Sequence, residues 1–264
     1  MRGLLVGLAF TQAVLIRATP AQDMMRNVDL SSADMLSAEM TRADIEAALA
    51  AASPGRPADF SGKRLSGLDL SGLDLSGVSF RAARLNRTKL IGAKLDAAIL
   101  DQAWLLESDL QRASLKGAHL FAAQMRGAKL DGADLAGARV TADLTGASLV
   151  GASLAGANLG ADMKNQSMGL MRGVLKSAHL DRADLSAADL SRVDLEFASL
   201  KQADLRGARL NGAELAGADL SGAMVDAADF SGADLTSVRL ENSKGLDLAR
   251  NLDKALNLQR PDPH

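Results

Sequence analysis

From Phe60 to Val140 every fifth residue is apolar and large, with Phe60, Phe80, Met125 and Val140 the departures from leucine. The same beat runs from Leu175 to Leu220. Five fits neither regular period, 3.6 for the helix or 2 for the strand. In an α-helix five residues rotate by about 500°, so successive leucines would never form one stripe. In a continuous strand an odd period would send each leucine to the opposite face. A chain that buries all of them must therefore turn once per five residues. From Ala83 onward the residue two before each leucine is nearly always Ala, with Thr88 and Ser108 as small exceptions. By the period-two rule that Ala lies on the leucine's side, and the pair after the leucine, often containing Gly, supplies the corner. Stacked coils of this kind pair their backbones and bury a continuous leucine column. The expected core includes Phe60, Phe80, Leu100, Leu120, Leu185, Leu205 and Phe230.

The segments "ADLSAADL", "GADLAGARV" and "GASLAGANL" resemble the pentapeptide-repeat family, whose unit is A-(D/N)-L-x-x. The resemblance spans 58–240. It implies an all-β solenoid, a right-handed quadrilateral β-helix with four pentads per square coil, here with short helical caps. At four pentads per coil, 60–240 would make about nine coils and a rod of ~43 Å at the ~4.8 Å strand spacing.

The beat slips after Val140, to Leu144, Leu149, Leu154 and Leu159, and multiples of five resume at Leu175. The break near 141–174 contains "GADMKNQSMGLMRGV", with Met163, Met168 and Met171. It reads either as a functional loop or as a tolerated insertion with a bulge. An open solenoid needs caps. Residues 22–57 form the expected N-terminal cap region. In it Thr41 and Asp44 resemble a capping box ahead of a helix, and Ser53-Pro54-Gly55 stops that helix. Residues 28–40 keep the five-residue beat and read equally as an extra coil or as more helix. At the other end, 241–264, Leu248, Leu252 and Leu256 fall on one face of an expected helix, a cap or a homodimer seam, followed by a tail.

Residues 1–21 read as a secretory signal peptide. Arg2 begins it, an apolar run follows from Gly3 to Ile16, and Thr19 and Ala21 suit the cleavage site. The run is shorter than the ~20 residues of a spanning helix, so no stable membrane span is expected. The implied location is periplasmic or secreted, with the cytoplasm as the alternative. The chain has no Cys, which excludes disulfides and thiolate chemistry.

The net charge of −2 argues against direct nucleic-acid binding. It hides an asymmetry. Eight basic residues face three acidic ones from Arg56 to Lys94, and eleven acidic face five basic from Asp181 to Asp234. With twenty residues per coil, Asp69, Lys89, Asp109 and Lys129 would stack in alternating sign, as would Asp189, Arg209 and Asp229. Asp194, Glu214 and Asp234 would stack like charges, a poor calcium cage. His119 and His179 would lie three coils apart, too far to share a metal. No phosphate-cradling, nucleophile-elbow or zincin motif is present, so neither a cofactor, a metal nor an enzymatic activity is expected. One anomaly stands out. Ile99 and Trp104 occupy the slot before the inward leucine that is normally polar, and Leu106 and Phe121 are also outward. Ile99 would stack on His119, and Arg84 would lie one coil from Trp104 within cation–π reach. Arg84, Ile99, Trp104, Leu106, His119 and Phe121 form the candidate docking patch.

Two functions follow. The first is a non-enzymatic exported rod that acts as a structural or protein-binding scaffold. The second is implied by the resemblance alone: some members of the family are acidic, C-terminally joined dimers that mimic DNA and bind DNA gyrase in the cytoplasm.

Overall fold

The computed structural model describes residues 28–53, 56–163 and 171–258. The expected signal peptide, the Pro54-Gly55 stop and the tail from 259 lie outside them. From Asp59 onward the chain forms a right-handed quadrilateral β-helix. Its strands are so short that each contributes one parallel bridge per pentad, as in Asp59↔Ser79, Arg64↔Arg84, Asp69↔Lys89 and Asp74↔Lys94. These four pairs define the four faces, taken in that order. The first face stacks Asp59, Ser79, Ile99, His119, Arg139, Asn158, Asp189, Arg209, Asp229 and Arg250, ten rungs joined by nine bridges, one per coil.

The corners explain the composition. At the regular corners the inward leucine carbonyl accepts from the N–H three residues on, as in Ala103 N to Leu100 O at 3.0 Å. The second corner residue has positive φ, +59° at Gln102 and +70° at Gly217. Positive φ at that place alone is the type II turn, which favours Gly. Asp and Asn before the inward residue have a second task. Their Oδ1 accepts from the N–H of the first corner residue, as in Ser76 N to Asp74 at 3.1 Å and Ser221 N to Asp219 at 3.0 Å. That N–H points out of the ladder and would otherwise need water.

Inside, the expected core residues Phe60, Phe80, Leu100, Leu120, Leu185, Leu205 and Phe230 are all buried. Phe60 and Phe80 stack with ring centroids 5.5 Å apart. The interior is filled by Leu and Ala, which leaves catalytic or binding chemistry to the outside.

At the N-terminal end α1 (Ala33–Leu36) is a single turn and α2 (Arg42–Ala50) covers the first coil, with Ile45 fully buried on it. Thr41 and Asp44 make the capping box that opens α2. Residues 28–40 are thus neither an extra coil nor a long helix. Ala38 pairs antiparallel with Leu65, and the Asn86 amide donates to Met35 O at 3.0 Å.

The C-terminal helix expected in 241–264 does not form in 241–258. There the β-helix continues through Met224↔Lys244, Asp229↔Arg250 and Asp234↔Leu256, and only Leu252–Lys254 makes a 3-10 turn. The reason is the corner: Gly245, Asn251 and Asn257 all take positive φ, which breaks any helix through them. Leu248 and Leu256 are therefore not on one helical face; both lie exposed on the last coil.

Candidate functional site

The bridges show what happens at the break. Partners are 20 residues apart up to His119↔Arg139, then 19 apart in Gln124↔Asp143 through Arg139↔Asn158, then 31 apart in Asp143↔Val174 through Asn158↔Asp189. One coil is a residue short and the next carries eleven extra. The sum is ten residues, two pentads, so the leucines return to multiples of five and the two changes read as one slip.

Both changes fall on the same edge of the rod, the corner after the first face. Thr141 alone turns the corner between the buried Val140 and Ala142, where two residues normally do. In the next coil the chain leaves the corner after Leu159. Its exit and return are pinned together by Gly173 N to Leu159 O at 2.8 Å and Asp162 N to Met171 O at 2.9 Å. A Cβ on Gly160 would sit 2.9 Å from the Asp189 Cγ, so a larger residue there would have to displace that carboxylate.

The shortened corner and the overhanging start of the insertion enclose a groove of about 630 Å³ along the first face. Its walls include Asp101, His119, Phe121, Arg139, Thr141, Asn158, Asp162, Met163 and Asp189. Its carboxylates at Asp101 and Asp189 are engaged. Asp101 accepts from Phe121 N at 3.1 Å and pairs with Arg81, and Asp189 accepts from Ser191 N at 3.0 Å and pairs with Arg209. The hydrogen bonds and charge of these partners outweigh burial and hold the Asp189 carboxyl below its usual range.

Of the six residues of the sequence-derived patch, His119 and Phe121 line this groove. Ile99 stacks against His119 in the same column. Arg84 and Trp104 stack on the second face instead, and Leu106 sits at the corner beyond, its N–H donating to Asn86 at 3.0 Å. The six are not one patch, and Ile99, Trp104, Leu106 and Phe121 are half-buried. No cation–π contact joins Arg84 to Trp104; among the described residues that interaction is made by Lys176 over Phe197, at 5.6 Å. His119 and His179 do not share a face, because the two extra pentads move His179 to the third face. Sequence reasoning missed Arg139, Thr141 and Asn158. The clue was the ten-residue sum of two changes, which a count modulo five conceals.

The like-charged column exists, in Asp194↔Glu214↔Asp234, and its counter-charge comes from the insertion. Arg172 donates to both Glu214 oxygens, at 2.6 and 2.8 Å, and lies 3.9 Å from Asp194. Burial, with the charges of Glu214 and Glu196, still raises the Asp194 pKa. Of the alternating columns, Arg209 pairs with Asp189. Asp69, Lys89, Asp109 and Lys129 stack in register, with no ion pair within 4 Å among them. Among the described residues no group of three His, Asp or Glu could hold a metal, and no helix is long and apolar enough to cross a membrane.

The family model for pentapeptide repeats matches in eight copies, over 64–102, 98–137, 123–164, 174–207 and 203–242. The chain belongs to the pentapeptide-repeat family, and the gap between the third and fourth segments falls on the insertion. Among solved structures it is similar to HetL, a pentapeptide repeat protein involved in heterocyst differentiation regulation in the cyanobacterium Nostoc. That match has 29% identity, covers 83% of this chain and 97% of that one, and has a TM-score of 0.49. It is similar to QnrB1, a plasmid-mediated fluoroquinolone resistance protein, at 17% identity over 68% of this chain and 90% of that one, TM-score 0.45. A pentapeptide repeat protein from the Arabidopsis thaliana thylakoid lumen matches at 22% identity over 64% and 65%, TM-score 0.13. No curated protein matches.

Proposed function

We propose that this chain is a non-enzymatic, exported scaffold that binds a protein partner on the side of its rod. The observation that carries this reading is the groove at the register break. A regular β-helix presents flat faces; here two opposite length changes in neighbouring coils meet on one edge and make a concavity. The core is filled, so partner recognition falls to such surface departures. A photo-crosslinking residue at Thr141 should capture a defined protein in the host, whereas one at Lys129, on the third face, should not. Equal labelling from both positions, or none from Thr141, would remove the reading. Export is tested separately, by fractionation and intact mass; a product beginning near Gln22 outside the cytoplasm is expected.

A homodimer is the second partner. Leu248 and Leu256 are exposed at 60% and 55% on the last coil, and no helix of the described residues covers them. Sedimentation of the purified protein should give twice the chain mass, and Leu248→Lys with Leu256→Lys should return it to the monomer.

The DNA-mimic alternative draws on the family resemblance and on the acidic half from Asp181, where Asp194, Glu214 and Asp234 stack in one column. Arg172 lies across that column and interrupts its negative surface, which speaks for the protein-binding reading. A supercoiling assay with DNA gyrase tests it directly: inhibition by the purified rod would favour the mimic.

A further inference from the structure

We infer that the groove on the first face is a docking site for a carboxylate-bearing segment of a partner protein, with Arg139 and His119 as the residues that receive the carboxylate. This rests on the protein-binding reading above and says what chemistry the partner presents.

The argument is an account of donors and acceptors. Of the three carboxylates on the groove wall, Asp101 and Asp189 are each held by an arginine and by a backbone N–H, and Asp162 is not free either. The Asn158 Oδ1 is used as well, accepting from Gly160 N at 3.1 Å. That bond turns the amide so that its Nδ2, a donor only, is the free end. The donors are not used. Arg139 and His119 are exposed, and neither side chain has an ion pair or hydrogen bond among the described residues; nor does the Thr141 hydroxyl.

The column supplies a reason. Arg209 stacks between Asp189 and Asp229, and one of them pairs with it; Arg139 stacks between His119 and Asn158, which carry no negative charge. Two neighbouring cationic or donor side chains on adjacent coils, about 4.8 Å apart at strand spacing, converge on one volume. Residues 160–163 wall one side of that volume, and the water they exclude strengthens an ion pair formed in it. The arginine fork matches a carboxylate bidentately. Beside the donors lie the half-buried Phe121 ring and the exposed Met163. These suit an apolar residue next to the acid. The preferred partner segment is therefore an acidic side chain flanked by an apolar one.

The test uses the full chain and a displayed library of random peptides. Selection on the folded rod should enrich peptides with Asp or Glu beside an apolar residue. Measured by fluorescence polarisation, their affinity should fall by about tenfold or more in Arg139→Glu, the usual worth of a charge-assisted hydrogen bond pair. It should fall less in Arg139→Lys, which keeps the charge and loses the fork, and not at all in Lys129→Glu. Arg139 is exposed, and an unchanged melting temperature would show that these variants fold. Peptides carrying Lys in place of the acid should bind Arg139→Glu. Enriched peptides without acids, or acidic peptides that bind Arg139→Glu as tightly as the parent, would overturn the inference while leaving the scaffold reading intact. No enriched peptide together with no photo-crosslink at Thr141 would overturn both.

Discussion

Arg172 Nη1 and Nη2 donate to Oε1 and Oε2 of Glu214, at 2.6 and 2.8 Å, across 42 residues of sequence. The pair fastens the end of the insertion to the second face, two coils away from where Val174 resumes the ladder. Burial disfavours the charge on Arg172, but the Glu214 hydrogen bonds and charge outweigh it and raise its pKa. Glu214 is 43% exposed, so solvent weakens the pair. Arg172→Ala should therefore cost about 1–2 kcal/mol rather than the larger figure of a fully buried pair. That is a fall in Tm of about 3–6 °C. The deficit should shrink in acid. Asp194 has a folded pKa raised above its unfolded value, so its ionised form is the destabilising one in the fold. As pH falls through the folded pKa that penalty disappears, and Arg172→Ala should approach the parent. A Tm difference that is flat from neutral pH to pH ~4 would contradict this account.

Leu205 is fully buried in the middle of the acidic half. Leu205→Ala should cost about 2–5 kcal/mol, with the larger values if the neighbouring alanines cannot close the gap. Leu205→Asp places an unpaired charge in the column and should abolish the cooperative transition seen by circular dichroism. Because each coil contacts only its neighbours, limited proteolysis of the Asp variant should cut near residue 205 first and leave the N-terminal coils protected for longer.

The interior was legible from the sequence for a simple reason. One residue in five meets the inward residues of the neighbouring pentads and coils, which repeat the same Leu and Ala pattern, so its own pattern depends on no special partner. Phe80, Leu120 and Leu205 could be placed inside from spacing alone. The outside was less legible. A residue's face depends on every length change before it, and His179 sits on the third face because of changes at Thr141 and after Leu159. The C-terminal leucines misled because a spacing of four is also a helical period. What decides the local structure there is the positive φ of Gly245, Asn251 and Asn257. The Asp of the repeat looked like surface charge, whereas most of its work is to accept the corner N–H.

That acceptor role makes an acid-stability prediction. The Ser61 hydroxyl and N–H hold Asp59 below the usual carboxylate range, and Ser76 does the same for Asp74. A carboxylate with a lowered folded pKa stabilises the fold above its unfolded pKa, and the contribution is lost as pH falls through the folded value. The Tm should therefore hold above pH ~5 and drop progressively below pH ~4. Asp74→Asn keeps an acceptor oxygen and should remove little stability at neutral pH. Asp74→Ala leaves the Ser76 N–H to water and should remove more. If Asn and Ala prove equal, charge rather than the hydrogen bond is what the position contributes.

Gly217 and Gly232 separate two costs that a corner glycine avoids. Both have positive φ, +70° and +66°, so an alanine at either meets the left-handed penalty of about 1–2 kcal/mol. At Gly232 a Cβ would meet nothing within 4 Å; at Gly217 it would lie 2.6 Å from the Phe197 Cδ1. Gly232→Ala should thus lower stability by the backbone cost alone, and Gly217→Ala by more. Removing the ring isolates the difference. In a Phe197→Ala background Gly217→Ala should cost no more than Gly232→Ala does in the parent, a coupling that a double-mutant cycle reads from denaturant midpoints. A Gly217→Ala cost that is the same with and without the Phe197 ring would mean that the ring swings aside freely. Its seat over Gly217 and under Lys176 would then contribute nothing to holding it.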